Sequence, residues 1–134
     1  MAPSVAYLDS SAFVKLVVAE PESAALVRAV ARWPQRASAT LVRTETIRAL
    51  RRSGNSSQIP KARRLLRSVH MVHLEGPLLD RAGDLDPVDL GSLGAVHLAA
   101  ALAIGEDLGI FFVYDTRLAR AAELYGIAVA SPSA

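Results

Sequence analysis

The chain contains no cysteine among its 134 residues, which excludes a disulfide framework, a thiolate metal site and a thiol nucleophile. Long hydrophobic runs are missing too. The longest apolar helical stretch, around Leu98 to Ile104, is too short to span a bilayer and follows directly on His97. Met1-Ala2-Pro3-Ser4 carries no basic residue ahead of an apolar core, so no secretory signal is expected and the chain reads as cytosolic, without a membrane partner. There is no internal repeat, no lysine-bearing phosphate loop, no glycine-rich dinucleotide fingerprint and no serine elbow. Phosphate-loop, dinucleotide and nucleophilic-serine chemistry are thereby set aside.

Acid is scarce over one long stretch. Between Arg28 and Lys61, Glu45 is the only carboxylate among Arg28, Arg32, Arg36, Arg43, Arg48, Arg51, Arg52 and Lys61, and Arg63, Arg64 and Arg67 extend the basic run. The acids gather later, at Glu75, Asp80, Asp84, Asp86 and Asp89. The net charge of +2 therefore hides a lopsided distribution. Arginine forks suit oxyanions, so the basic half favours a nucleic-acid substrate over a merely solvated surface. A hydrophobic fraction of 51% excludes a disordered chain and points to apolar surface covered by a partner or a second copy.

Val5 to Leu8 is an unbroken apolar run of strand length that stops on Asp9, ahead of a helix from Ala12 with Ser10 or Ser11 as its cap. Ile110 to Tyr114 repeats the pattern and stops on Asp115, followed by Thr116 and a helix. Two parallel strands of this kind place both carboxylates at the carboxyl edge of one sheet, where ligands sit in open α/β folds. Between them, helices are expected from Pro21 to Trp33, from Leu41 to Arg52 capped by Thr40, from Pro60 to Val69, from Gly76 to Leu85, and from Leu90 to Ile104 capped by Asp89. Further strands are expected at Arg36 to Thr40, Met71 to Leu74 and Ile127 to Ala130, and a last helix at Arg117 to Tyr125. The alternation predicts a single α/β domain, a parallel sheet with helices on both faces and the Val5 strand at its centre.

Glu45 shares a helical face with Leu41, Val42 and Ala49. A carboxylate on a core-facing stripe is costly unless it pairs, here with Arg48 or Arg52, or binds a metal. His70 and His73 read as the rim of a strand rather than a metal pair. Carboxylates gathered at one edge without a nucleophile suit Mg²⁺ or Mn²⁺, hard cations that take oxygen ligands and bridge to phosphate. Phosphodiester hydrolysis follows as the expected chemistry. A haloacid-dehalogenase fold would need a second Asp where Ser11 stands, and a receiver domain would need a mid-sheet phosphoacceptor Asp and a late Lys, neither of which is present.

Tyr7-Leu8-Asp9-Ser10-Ser11-Ala12-Phe13-Val14-Lys15-Leu16 with Glu20-Pro21-Glu22 resembles the opening signature of PIN-domain ribonucleases of the VapC toxin type. Arg43-Thr44-Glu45-Thr46-Ile47, Leu93-Gly94-Ala95-Val96-His97-Leu98-Ala99-Ala100-Ala101 and Val113-Tyr114-Asp115-Thr116-Arg117-Leu118 resemble that family's later motifs, in family order and spacing over nearly the whole chain. The resemblance implies a PIN fold and a Mg²⁺- or Mn²⁺-dependent endoribonuclease cutting structured RNA such as tRNA or rRNA. Asp9, Glu45 and Asp115 would be its catalytic and metal-binding residues, with Ser11 and Thr116 supporting them. It further implies a homodimer, neutralisation by a VapB-like antitoxin, and operator DNA bound only through that antitoxin. One position departs from the pattern. Gly94 stands where the family places its third acid, which implies impaired catalysis or a PIN-fold module that binds partners without cleaving. Antitoxin contact is expected on apolar helical surface between Ala12 and Leu50.

Overall fold

The computed structural model describes residues 2–133. Its five strands are β1 (Val5–Leu8), β2 (Gln35–Ala39), β3 (His70–Val72), β4 (Leu108–Phe112) and β5 (Val129–Ala130). They form one sheet in the order β3-β2-β1-β4-β5, every neighbouring pair parallel. The Val5 strand is central, as its apolar run requires: all four of its residues are buried because both faces of the sheet are covered. Helices α1 (Ser10–Val17), α2 (Ser23–Val30), α3 (Val42–Arg52), α4 (Ile59–Arg67), α5 (Gly76–Gly83), α6 (Ser92–Ile104) and α7 (Thr116–Leu124) connect the strands.

The two-residue period of β1 divides the core. Ala6 and Leu8 pack with Phe13 of α1, Leu26 of α2, Val42 of α3 and Leu66 of α4 on one face. Val5 and Tyr7 pack with Leu98 and Ala101 of α6 and Leu118, Ala121 and Ala122 of α7 on the other. The run of small residues in α6 lets this helix lie close on the sheet, and Ala99, Ala100 and Ala101 are fully buried.

Several element ends differ from expectation, and the differences have causes. Neither Ser10 nor Ser11 caps α1. Asp9 does so, accepting from the Ala12 N–H at 3.1 Å. Thr40 does not cap α3 with its side chain; Leu41 occupies the cap position and is already helical. Asp89 does not cap α6, which starts at Ser92 behind Gly91. The helix expected from Pro21 to Trp33 is shortened to α2, with Trp33 turned onto the sheet. In place of Met71 to Leu74, the outer strand β3 starts earlier, at His70, because it pairs in register with Ala37 to Ala39. β4 stops at Phe112; Val113, whose N–H still bonds the Ala130 carbonyl of β5, and Tyr114 lead on to Asp115.

Trp33 packs against β4 beside Ile110 and Phe112. A Cβ on Gly109 would lie 2.2 Å from its Cζ3 and 2.5 Å from its Cη2, so no side chain fits while the indole stays. Gly109→Ala is expected to destabilise the fold by about 1–3 kcal/mol through overpacking. The urea midpoint would fall, and the emission of this single tryptophan would shift as its ring is displaced.

Candidate active site

Parallel pairing brings the carboxyl ends of β1 and β4 side by side, with Leu8 opposite Phe112. Asp9 follows Leu8 at once and is 4% exposed. Asp115 comes three residues after Phe112 and is exposed. The two acids share an edge, as expected, but at different depths. Ser11 links them: its hydroxyl donates to Asp9 Oδ1 at 2.6 Å and accepts from the Tyr114 N–H at 3.0 Å. The Asp115 side chain caps α7, with Oδ1 accepting from the N–H groups of Arg117 at 2.9 Å and Leu118 at 3.1 Å. Thr116 is the exposed first residue of that helix.

Glu45 answers the question its position raised. Its partner is neither Arg48 nor Arg52 but His97 on α6, whose Nε2 lies 2.6 Å from Glu45 Oε1. The carboxylate can only accept, so Nε2 donates to Glu45, and the other ring nitrogen, Nδ1, lies 2.7 Å from the Tyr7 hydroxyl oxygen. Burial holds the Tyr7 hydroxyl well above its ordinary pKa, which keeps it protonated. Tyr7 (β1) and His97 (α6), both buried, and the half-buried Glu45 (α3) thus form one chain of contacts at the carboxyl edge. His97 was not expected as a site residue. The signal was available, since His97 lies within the apolar block of α6 and needs a polar partner there.

Burial also raises the Asp9 pKa, an effect reinforced by the nearby Glu45 carboxylate and opposed by the Ser11 hydroxyl, His97 and the Ala12 N–H. Every hydrogen bond that Asp9 accepts from a described residue goes to Oδ1. Its Oδ2 is free of protein donors among those residues, as is the second oxygen of Glu45. An oxygen-only, electrostatically strained pair of this kind fits a hard divalent cation in donor type. It falls short in number: no group of three or more His, Asp or Glu side chains able to hold one metal ion occurs among the described residues. The reasons are local. His97 engages one oxygen of Glu45, Asp115 is turned to cap α7, and α6 offers Gly94 where a third acid was expected. A Cβ on Gly94 would face Leu90 and, at 3.8 Å, Leu118 of the first α7 turn. Position 94 thus lies beside the first turn of α7, which Asp115 caps.

The PIN domain family matches residues 6–124. The chain belongs to the PIN-domain family. Within it, the relatives are VapC ribonucleases. The chain is 45% identical to ribonuclease VapC46 of Mycobacterium tuberculosis over 95% of its own length and 97% of that protein's. It is 36% identical to ribonuclease VapC47 of the same organism, over 96% and 97% of the two chains. Among solved structures, the M. tuberculosis VapC20 crystal structure, described as that of a Sarcin-Ricin loop cleaving toxin, superposes with a TM-score of 0.73 at 18% identity. That match covers 87% of this chain and 94% of VapC20, and it shows the PIN fold.

Within the stretch expected to carry partner surface, the residues at its two ends are not themselves accessible. Ala12 and Leu50 are fully buried in the core, so they offer nothing to a peptide. In that half of this PIN domain, Val27 is the large apolar residue that stands out, at 52% exposure. It borders a shallow groove with Leu16, Val18 and Ala24, flanked by Lys15 and Lys61. His70 and His73 line a separate cavity of about 1000 Å³ at the opposite, amino-terminal ends of β1 to β3, and form no metal cluster there among the described residues. No helix among the described residues is long and apolar enough to cross a membrane.

The contacts of His97 predict a stability effect. His97→Ala leaves the buried Tyr7 hydroxyl and the Glu45 carboxylate without their partner and opens a cavity. A loss of about 3 kcal/mol is expected from these terms together, read as a lower urea midpoint at unchanged m-value.

Proposed function

We propose that this chain is a divalent-metal-dependent endoribonuclease that hydrolyses RNA phosphodiester bonds, with tRNA or rRNA as the substrate class. The observation that carries this reading is Asp9, a buried carboxylate with one free oxygen at the carboxyl edge of a parallel sheet, within electrostatic reach of Glu45. Asp9 and Glu45 would hold Mg²⁺ or Mn²⁺, with Asp115 at the rim. When bound, such an ion supplies an activated water and neutralises charge on the scissile phosphate. The chain's own residues orient the donors. Ser11 fixes Asp9 against the β4 exit, His97 fixes Glu45, and the Asp115 cap sets the start of α7. As the resemblance to VapC toxins implies, the chain would be controlled by a VapB-like antitoxin, assemble as a homodimer, meet operator DNA only through that antitoxin, and act in the cytoplasm.

A second reading is favoured by one observation, the shortage of acids at the site. With Gly94 in α6 and Glu45 engaged by His97, the chain would be a PIN module that keeps its partner surface without cleaving. The deciding assay is cleavage of total tRNA and rRNA by purified protein with Mg²⁺, Mn²⁺ or EDTA. Cutting that requires the cation and is lost in Asp9→Asn establishes the nuclease. RNA left intact under all three conditions, with a VapB-like peptide still bound, establishes the binding module.

A further inference from the structure

α3 carries a second feature on the flank away from Glu45. Arg43, Thr44 and Ile47 of α3 and Arg63, Leu66 and Arg67 of α4 enclose a pocket of about 250 Å³. Leu66 is part of the core floor, and the three arginines are exposed. No carboxylate lines this pocket. Among the described residues, ion pairs are made only by Lys15, with Glu20 and Glu22, and by His97, with Glu45. None of the arginines is paired, and none of these three donates a side-chain hydrogen bond to another described residue. Three unneutralised guanidinium groups held together by two packed helices repel one another, and an anion relieves that repulsion.

We infer that this pocket docks a backbone phosphate of the RNA strand whose scissile bond lies at Asp9 and Glu45. The inference rests on the ribonuclease reading and adds where the strand is held. Helical geometry sets the relation. Positions 43, 44 and 47 point to α4, whereas Glu45, about 200° from Arg43 at 100° per residue, points to α6. A strand crossing α3 from the pocket to the carboxylates covers roughly the diameter of one helix, ~10–12 Å, a span of a few nucleotides. Planar forks select phosphate by bidentate donation, Thr44 adds a hydroxyl at the mouth, and the aliphatic floor of Ile47 and Leu66 carries no acceptor to compete. An acidic segment of a protein partner is the other anion the pocket could take. The shared helix, which ties the pocket to the acidic edge, favours RNA.

The test is equilibrium binding of a fluorescein-labelled tRNA transcript, without divalent cation, across a salt series. Wild type is compared with Arg43→Gln/Arg63→Gln/Arg67→Gln. The control, Arg28→Gln/Arg32→Gln/Arg81→Gln, removes equal charge elsewhere. The pocket variant is expected to bind at least tenfold more weakly at about 150 mM salt, with the slope of log K against log salt shallower by about 2. The control should change that slope by less than about 1. Replacing the three pocket arginines by lysine should keep the slope and lose affinity, because charge survives and the fork does not. A slope that responds equally to both triple variants overturns the inference. So does a pocket variant that loses only a VapB-like peptide. Failure of the ribonuclease reading looks different: wild type would bind tRNA in a pocket-dependent way and cleave nothing.

Discussion

Asp9→Asn is expected to lower RNA cleavage by about 10³-fold, or about 4 kcal/mol of transition-state stabilisation, while making the metal-free protein more stable at neutral pH. The two effects have one cause. Asp9 is buried beside Glu45, and its folded pKa lies above its ordinary value of 3.8. Between the unfolded and folded pKa values the native state binds more protons than the unfolded chain, so stability falls as pH rises through that window. At pH 7 the charged Asp9 is a net cost to the fold, and asparagine removes it while still accepting from the Ala12 N–H as a helix cap. The stability difference should shrink as pH drops below 3.8, where aspartate is protonated in both states. Mg²⁺ reverses the order, because a cation that binds only the folded protein stabilises it by mass action. Thermal unfolding with EDTA and with Mg²⁺ at pH 7 checks this. A variant that is less stable than wild type in EDTA, and equally responsive to Mg²⁺, would remove Asp9 from the cation site.

What the sequence disclosed at this site was its local part. The apolar runs of β1 and β4, each followed by an acid and a helix, place Asp9 and Asp115 at one edge on sequence pattern alone. The parallel sheet confirms that placement. The depth difference between them was not legible, because it depends on register: Leu8 pairs with Phe112, leaving Val113 and Tyr114 as extra reach for Asp115. Glu45 was visible as a carboxylate needing compensation. Its compensator lies 52 residues away on α6, and no window of helical periodicity contains both. The two Arg residues considered instead were neighbours in sequence, but helix twist turns Arg48 and Arg52 outward to solvent. Ser11 was read as a possible cap and serves as a bridge from Asp9 to Tyr114, a role created only when β4 arrives beside β1. Ala12 and Leu50 bound the stretch expected to carry partner surface, and a helix read alone does not show which of its apolar residues stay exposed. Both are covered when the helices pack.

Gly94→Asp is expected to raise Mg²⁺- or Mn²⁺-dependent cleavage by about 10²-fold or more, at little cost to the fold. Sterically the change is permitted. The new Cβ meets Leu90 Cδ1 at 3.1 Å, the free end of a flexible side chain that can move by a few tenths of an ångström. Replacing glycine inside α6 also recovers part of the ~1 kcal/mol that glycine loses relative to alanine. Electrostatically the change adds one unit of negative charge on the face toward Leu118 and the Asp115 end of the site. Without metal, that charge repels Asp9 and Glu45 and should lower Tm in EDTA. With metal, the same charge supplies the missing donor, so the Mg²⁺-induced rise in Tm should be larger than in wild type. Two opposite shifts from one substitution separate a ligand from a packing change. Gly94→Ala provides the comparison, since it fills the same space without charge and should leave both cleavage and the metal response where they were. Growth arrest on expression should follow the aspartate variant and not the alanine one. If wild type already cleaves as fast as Gly94→Asp, position 94 stands outside the cation site, and Asp9, Glu45 and Asp115 are sufficient for the chemistry.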